Sequence, residues 1–184
     1  AMVRRYYYLL RGSWPRILEL AYWPTMQVVM FGFLTQFLAE TSDYYAQAFG
    51  VLLSAVLLWD ILFRGQLGVT MSFLEEMWSR NLGHLFVSPL RPHEMIVALM
   101  TISFFRTLIG IIPATILAVL FFGFSIYSLG FPLIGFFSNL IVMGWAIGLV
   151  MSGVVLRYGL GAESLAWVAV FAVAPISGIY YPIG

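Results

Sequence analysis

Residues 20–39, 44–59, 131–156 and 164–184 contain no Asp, Glu, Lys, Arg or His. Nothing else in the sequence limits the choice of fold so sharply, because a helix needs about 20 mostly apolar residues to cross roughly 30 Å of hydrocarbon. The second stretch reaches that length once Asp60 and residues 61–63 are added, up to Arg64. A fifth candidate, from about residue 95 to 122, carries one charge, Arg106. These runs are continuous, whereas the strands of a membrane barrel alternate in segments of about ten residues. The expected fold is an all-α integral membrane protein, one transmembrane domain over 1–184. It has an interfacial helix at 1–19 and spans at about 20–39, 44–64, 95–122, 131–156 and 164–181.

Composition narrows the function. Of the 184 residues, 62% are apolar and 9% charged, against about a quarter charged in soluble domains. So few charges cannot cover a water-soluble surface, and soluble and disordered classes are excluded. A net charge of +1 offers no field for nucleic acid. No cysteine is present, which excludes disulfides, a thiol nucleophile and a thiolate-held metal. All nine Lys and Arg residues are arginine. A phosphate-binding P-loop needs a lysine, so if ATP drives this chain, another subunit hydrolyses it.

Arginine placement sets the expected orientation. Arg4, Arg5, Arg11 and Arg16 precede the first span, Arg64, Arg80 and Arg91 lie between the second and third, and Arg157 follows the fourth. A cytoplasmic N-terminus puts all eight inside. Arg4, Arg5 and Arg11 alternate with Tyr6–Leu10, Trp14 and Ile17, which suits a helix lying along the cytoplasmic interface. That segment lacks the apolar core and small-residue site of a cleavable signal peptide.

The sizeable polar segment, 66–94, is then a cytoplasmic loop. Ser72 followed by Glu75 has capping-box spacing, so a helix is expected to start there. Phe73, Leu74, Met77, Trp78, Leu82, Leu85 and Phe86 recur at helical spacing, and Ser88-Pro89-Leu90-Arg91-Pro92 ends the run. The apolar face of such a helix needs cover from the membrane, from the chain's own helices or from a partner.

Asp60 and Arg106 are the charges placed deepest. Asp60 lies four residues before Arg64, near a helix end where water can reach it. Arg106 is expected to snorkel to the headgroups rather than touch a substrate. Gly144, Gly148 and Ser152 share one face of the fourth span at four-residue spacing and let helices approach closely. Pro113 and Pro175 fall inside the third and fifth spans, where a kink is expected. Tyr44, Tyr45, Tyr180 and Tyr181 suit interface belts. Phe31, Phe33, Phe121, Phe122, Phe136 and Phe137 are candidates for a substrate path, set against ordinary lipid contact and core packing. His84 and His93 are the two histidines and both sit in the loop. No catalytic constellation or metal-ligand spacing is present, and the chain is not expected to be an enzyme.

Three stretches, "EEMWSRNLGHLFVSPLRPHEMIVAL", "LRYGLGAESLAW" and "PISGIYYP", together with the opening "SWPRILELAYWPTMQVVMFGF", resemble the membrane subunit of a type-2 ABC exporter. This is a family of bacterial permeases for drugs, lipids and polysaccharides. The resemblance implies a permease dimer in the inner membrane, a homodimer by expectation, with separate ATP-binding subunits that hold ATP and Mg²⁺. No cofactor is then expected in this chain, and membrane lipids complete its partners. The loop between spans two and three becomes the element that couples to the ATPase, with Glu76, Trp78, Arg80, Asn81, Leu85, Pro89 and Leu90 falling in it. The family has six spans, of which this sequence holds five, so transport is expected of the complete subunit. The cargo implied is a lipid-linked glycan, a lipid or a drug-like molecule. A different class of function, a membrane scaffold recruiting a cytoplasmic partner, fits the same loop; a membrane transferase or protease does not fit the histidine count.

Overall fold

A computed structural model describes residues 2–41 and 43–176. Every regular element among them is helical: α1 (Met2–Arg11), α2 (Trp14–Thr41), α3 (Asp43–Trp78), α4 (Leu82–Val87), α5 (Pro92–Phe122), α6 (Pro132–Tyr158) and α7 (Glu163–Val173). Short 3-10 turns lie at Ile126–Leu129 and Leu160–Ala162. Four helical stretches are long and apolar enough to cross a membrane: Trp14–Phe37, Val51–Trp78, Pro92–Phe122 and Pro132–Tyr158. This is the character of a multi-pass membrane protein.

Several boundaries differ from the sequence expectation. The helix expected at the interface stops at Arg11, and Trp14–Glu19 already belong to α2. The second helix does not end near Arg64 but runs on to Trp78. Ser72 therefore starts no helix: its hydroxyl donates to the Gly68 carbonyl one turn back, 2.7 Å away, satisfying itself within the helix rather than capping a new one. Of the expected loop, 79–81 and 88–91 are the parts outside α-helix. Pro113 lies inside α5 as expected, but Pro175 follows the end of α7 instead of interrupting it. Tyr180, Tyr181 and Pro182 lie outside the described residues, as do the side chains of Tyr44 and Tyr45.

α3 is the axis of the bundle and packs on α2, α5, α6 and α7. Neighbour pairs fix the directions. Gly68 meets Ser103 while Arg64 lies on Gly110, so α5 runs antiparallel to α3; Gly144 sits over Leu62 and Gly148 over Gln66, so α6 runs parallel to it. One end of the bundle thus collects the end of α3, the starts of α2 and α5, and α1 and α4.

Lipid removes the usual reason for helices to associate, because tails are as apolar as leucine. Close packing and polar contacts must hold the bundle. Polar side chains accordingly turn inward: Asp60, Arg64, Gln66, Thr70, Ser72 and Glu76 on α3 are all buried, while large apolar residues such as Phe33, Leu120, Phe131 and Phe171 face outward. The Ser103 hydroxyl donates to the Gly65 carbonyl at 2.8 Å and accepts from Trp145 Nε1 at 3.2 Å, joining α5, α3 and α6 at one oxygen. Gln66 Nε2 donates to the Ala166 carbonyl at 2.8 Å, which ties α7 to the axis.

The α3–α6 contact depends on missing side-chain atoms. A Cβ on Gly144 would stand 2.7 Å from the Leu62 carbonyl oxygen, and one on Gly148 would stand 2.8 Å from that of Gln66. Both obstacles are backbone, so the helices themselves would have to part. Gly144→Ala and Gly148→Ala are each expected to destabilise the bundle by about 1–3 kcal/mol, the usual cost of overpacking. Gly153→Ala, whose Cβ meets nothing within 4 Å, should be close to neutral. Thermal unfolding of the three variants in detergent checks this.

Candidate functional site

The last two turns of α3 carry Glu75 and Glu76. Consecutive helical residues point about 100° apart, so the two carboxylates reach different neighbours. Glu76, only 1% exposed, accepts from Arg5 Nη1 at 2.9 Å and from Asn81 Nδ2 at 2.6 Å. Both oxygens of Glu75 accept from Arg106 Nη2, at 3.0 and 3.1 Å, and Arg16 Nη1 stands 3.6 Å from Oε1. A single turn of α3 thereby grips α1, α2, α5 and the entry to α4. Arg106 does not snorkel; it is buried and paired, as a charge within a membrane helix must be.

Above this turn, Arg64 Nε donates to Asp60 Oδ2 at 2.6 Å, and both side chains are buried. Asp60 is therefore not solvated, contrary to the sequence expectation. The guanidinium of Arg64 lies flat on Gly110 of α5, where a Cβ would fall 2.8–2.9 Å from it. Glycine at 110 is what leaves it room.

α3 ends in a tight turn: Asn81 N–H donates to the Glu76 carbonyl at 3.0 Å, and Arg80 takes a left-handed conformation with φ of 53°. Glycine is the usual residue at such a C-terminal position. α4 follows. Leu82, Leu85 and Leu90 pack inward on the cluster of Tyr6, Val69, Phe73 and Leu99, while Phe86 and Val87 are 64% and 90% exposed. Glu94 Oε2 accepts from Arg91 N–H at 2.8 Å, which caps the start of α5 at Pro92.

Two cavities lie at this end. One of about 370 Å³ is lined by Arg16, Arg64, Arg106, Glu19 and Glu75 with the rings of Trp23, Phe63, Trp78 and Trp167. The other, about 290 Å³, is an apolar groove beneath α4 between Phe73, Phe86, Leu90, Leu99 and Leu149.

The residues expected to couple to a partner thus divide. Glu76, Asn81, Leu85 and Leu90 face inward and hold the corner together; Arg80 and Pro89 are exposed, and Trp78 walls the larger cavity. Phe86 and Val87 are the exposed large apolar residues of α4, beside exposed Gly83 and His84, and the sequence put Phe86 on the apolar face that needs cover. Gly144, Gly148 and Ser152 are buried together; the two glycines seat α6 on α3, and Ser152 Oγ donates to the Gly148 carbonyl at 2.8 Å. Of the six path candidates three meet: Phe33 packs edge-on against Phe122 at 5.4 Å and Phe121 lies beside Phe122. Phe137 meets Phe104 elsewhere, Phe31 is half-buried, and Phe121 and Phe136 face outward. None of the six lines either cavity. The larger cavity's Trp23 and Trp167 carried no sequence signal, since each lies in an apolar run.

No family model matches the chain, and neither a curated protein nor a solved structure matches it.

Two expectations follow. Glu75→Gln and Arg106→Gln should each cost about 1–3 kcal/mol, the first because it strands the buried Arg106 and the second because it leaves the part-buried Glu75 with only the longer Arg16 contact. The double variant should cost less than their sum, and a double-mutant cycle of unfolding free energies measures the coupling. Tyr6 supplies the second. Its hydroxyl donates to the Ser72 carbonyl at 3.3 Å, and burial first, then the Glu76 carboxylate, pushes its pKa well up. A raised folded pKa means that the native state holds its proton longer. Tyr6 thus contributes stability in full below the ordinary tyrosine value of about 10 and loses it as pH climbs above that. Unfolding temperatures from pH 8 to 11 should fall at the alkaline end, and Tyr6→Phe should reduce that fall.

Proposed function

We propose that this chain is the permease subunit of an ATP-driven exporter in a bacterial inner membrane, its N-terminus cytoplasmic, working as a dimer with a separate ATP-binding subunit. The observation that carries the reading is the corner at Arg80 and α4. Arg80 is exposed and sits in a conformation that costs a non-glycine residue about 1–2 kcal/mol, with no hydrogen bond or ion pair of its side chain among the described residues to offset it. Strain kept at an exposed position points to a role there. Beside it, α4 offers Phe86 and Val87 outward. A cytoplasmic ATPase pressing on this corner would move the end of α3. Through Glu75 and Glu76 the push would reach α1, α2 and α5 at once, tilting the bundle between inward- and outward-open states. The resemblance of "EEMWSRNLGHLFVSPLRPHEMIVAL" to the family's coupling segment supports the same assignment, as does the absence of lysine for a P-loop here.

Purified in mild detergent from its native membrane, the chain should carry an ATP-binding subunit and ATP hydrolysis with it. Arg80→Gly relieves the backbone and leaves the fold intact, so it separates docking from folding. Combined with Phe86→Ser, it should lower the co-purifying ATPase at least tenfold without reducing the unfolding temperature. Full retention of the ATPase by that variant would overturn the assignment.

A further inference from the structure

The larger cavity carries a ligand chemistry of its own. Three guanidinium groups, from Arg16, Arg64 and Arg106, line it. Two carboxylates are paired with them: Asp60 with Arg64, and Glu75 shared between Arg106 and Arg16. Glu19 also lines the cavity, exposed and without an ion pair among the described residues, so three guanidinium groups face three carboxylates and their charges balance. Donors, however, are left over. Arg64 spends Nε on Asp60, and its two Nη groups have no acceptor among the described residues. Arg106 gives Nη2 to Glu75 while its Nε is buried without one. A guanidinium presents five N–H groups in a fixed fork that matches the oxygens of phosphate. Unmet donors of this kind are costly in a low-dielectric site unless an anion meets them.

The walls say what the anion is attached to. Trp23 and Trp78 are both exposed at the cavity, and indole rings sit at headgroup depth in a bilayer, one edge apolar and one wet. The charged end of four membrane-length helices is where a headgroup would arrive with its tails beside the apolar outer faces. We propose that this cavity binds the phosphate headgroup of a net-anionic membrane lipid, with Arg64 and Arg106 as its inner ligands and Arg16 at its mouth. The proposal is independent of ATP coupling, because the chain can be tested without a partner.

Native mass spectrometry of the full chain in detergent, given equal amounts of phosphatidylglycerol and phosphatidylcholine with the same tails, tests it. Phosphatidylglycerol should be retained about tenfold over phosphatidylcholine, the scale of a charge-assisted contact. Arg64→Gln alone would strand Asp60, so the pair Asp60→Asn/Arg64→Gln is used, which keeps a neutral hydrogen-bonded couple and removes the guanidinium. It should bring the ratio close to one. Arg16→Gln, at the partly exposed mouth and without risk to the core, should lower the ratio about threefold. Arg157→Gln, on the last turn of α6 and outside the cavity, should leave it unchanged. Equal retention of the two lipids, an equal loss in Arg157→Gln, or an unchanged ratio in both cavity variants would overturn the proposal. Displacement of the lipid by millimolar glycerol phosphate would overturn its lipid part, since phosphate alone would then suffice.

Discussion

The structure depends on one condition: polar groups on α3 need partners inside the bundle, because hydrocarbon offers none, and most of them have one, Gln66 Oε1 being an exception. That condition explains why the helix with the most charged side chains is also the central one. Asp60, Gln66, Thr70, Glu75 and Glu76 sit on a helix surrounded by α2, α5, α6 and α7, each of which supplies a group that answers them or lies close against them. Thr70 donates to the Gln66 carbonyl and reaches the Gly148 carbonyl across the interface at 3.4 Å. Individual bonds between membrane helices are worth only about 0.6 kcal/mol on average. Their weight here comes from number and from the glycine contacts that bring the backbones near enough to make them.

The charged end adds a mechanical consequence. Glu75 and Glu76 differ by one residue, yet they bind different helices, so rotation or translation of the end of α3 acts on α1, α2 and α5 together. A closed network of this kind moves as a unit or breaks as a unit. The exposed corner at Arg80 and α4 is joined to it through Asn81, whose side chain and backbone both bond to Glu76. A force applied outside the bundle therefore has a short covalent and hydrogen-bonded route inward, and the arginine-lined cavity lies directly on it.

Much of the architecture was legible beforehand. Long runs without Asp, Glu, Lys, Arg or His marked the helices, and their bounds near residues 122, 132 and 158 are set by local chemistry: Gly123 with φ of 62°, Pro132 at a helix start and Gly159 with φ of 81°. Where local signals misled, a nonlocal partner had decided the outcome. Ser72 and Glu75 read as a capping box because their spacing is right, but α3 passes straight through them, stabilised by Phe73 and Leu74 packing on other helices. The coupling candidates were found as a segment, but their inward or outward facing was not, since Glu76 and Arg80 are both charged and differ only in what lies beside them.

What the sequence alone determined is the solvent: stretches this apolar and this long have hydrocarbon as their natural surroundings, and a chain without lysine cannot hold a nucleotide in a standard P-loop. Those are properties of composition and of runs along one dimension. The tertiary structure alone decided which charges meet. Arg106 joins Glu75 across 31 positions and Arg5 joins Glu76 across 71, and no pattern in the residues between them records those distances. Pairing inside a bundle is set by which helix faces which, and that follows from small contacts such as Gly144 on Leu62 and Gly110 beneath Arg64, whose meaning appears only once the helices are side by side.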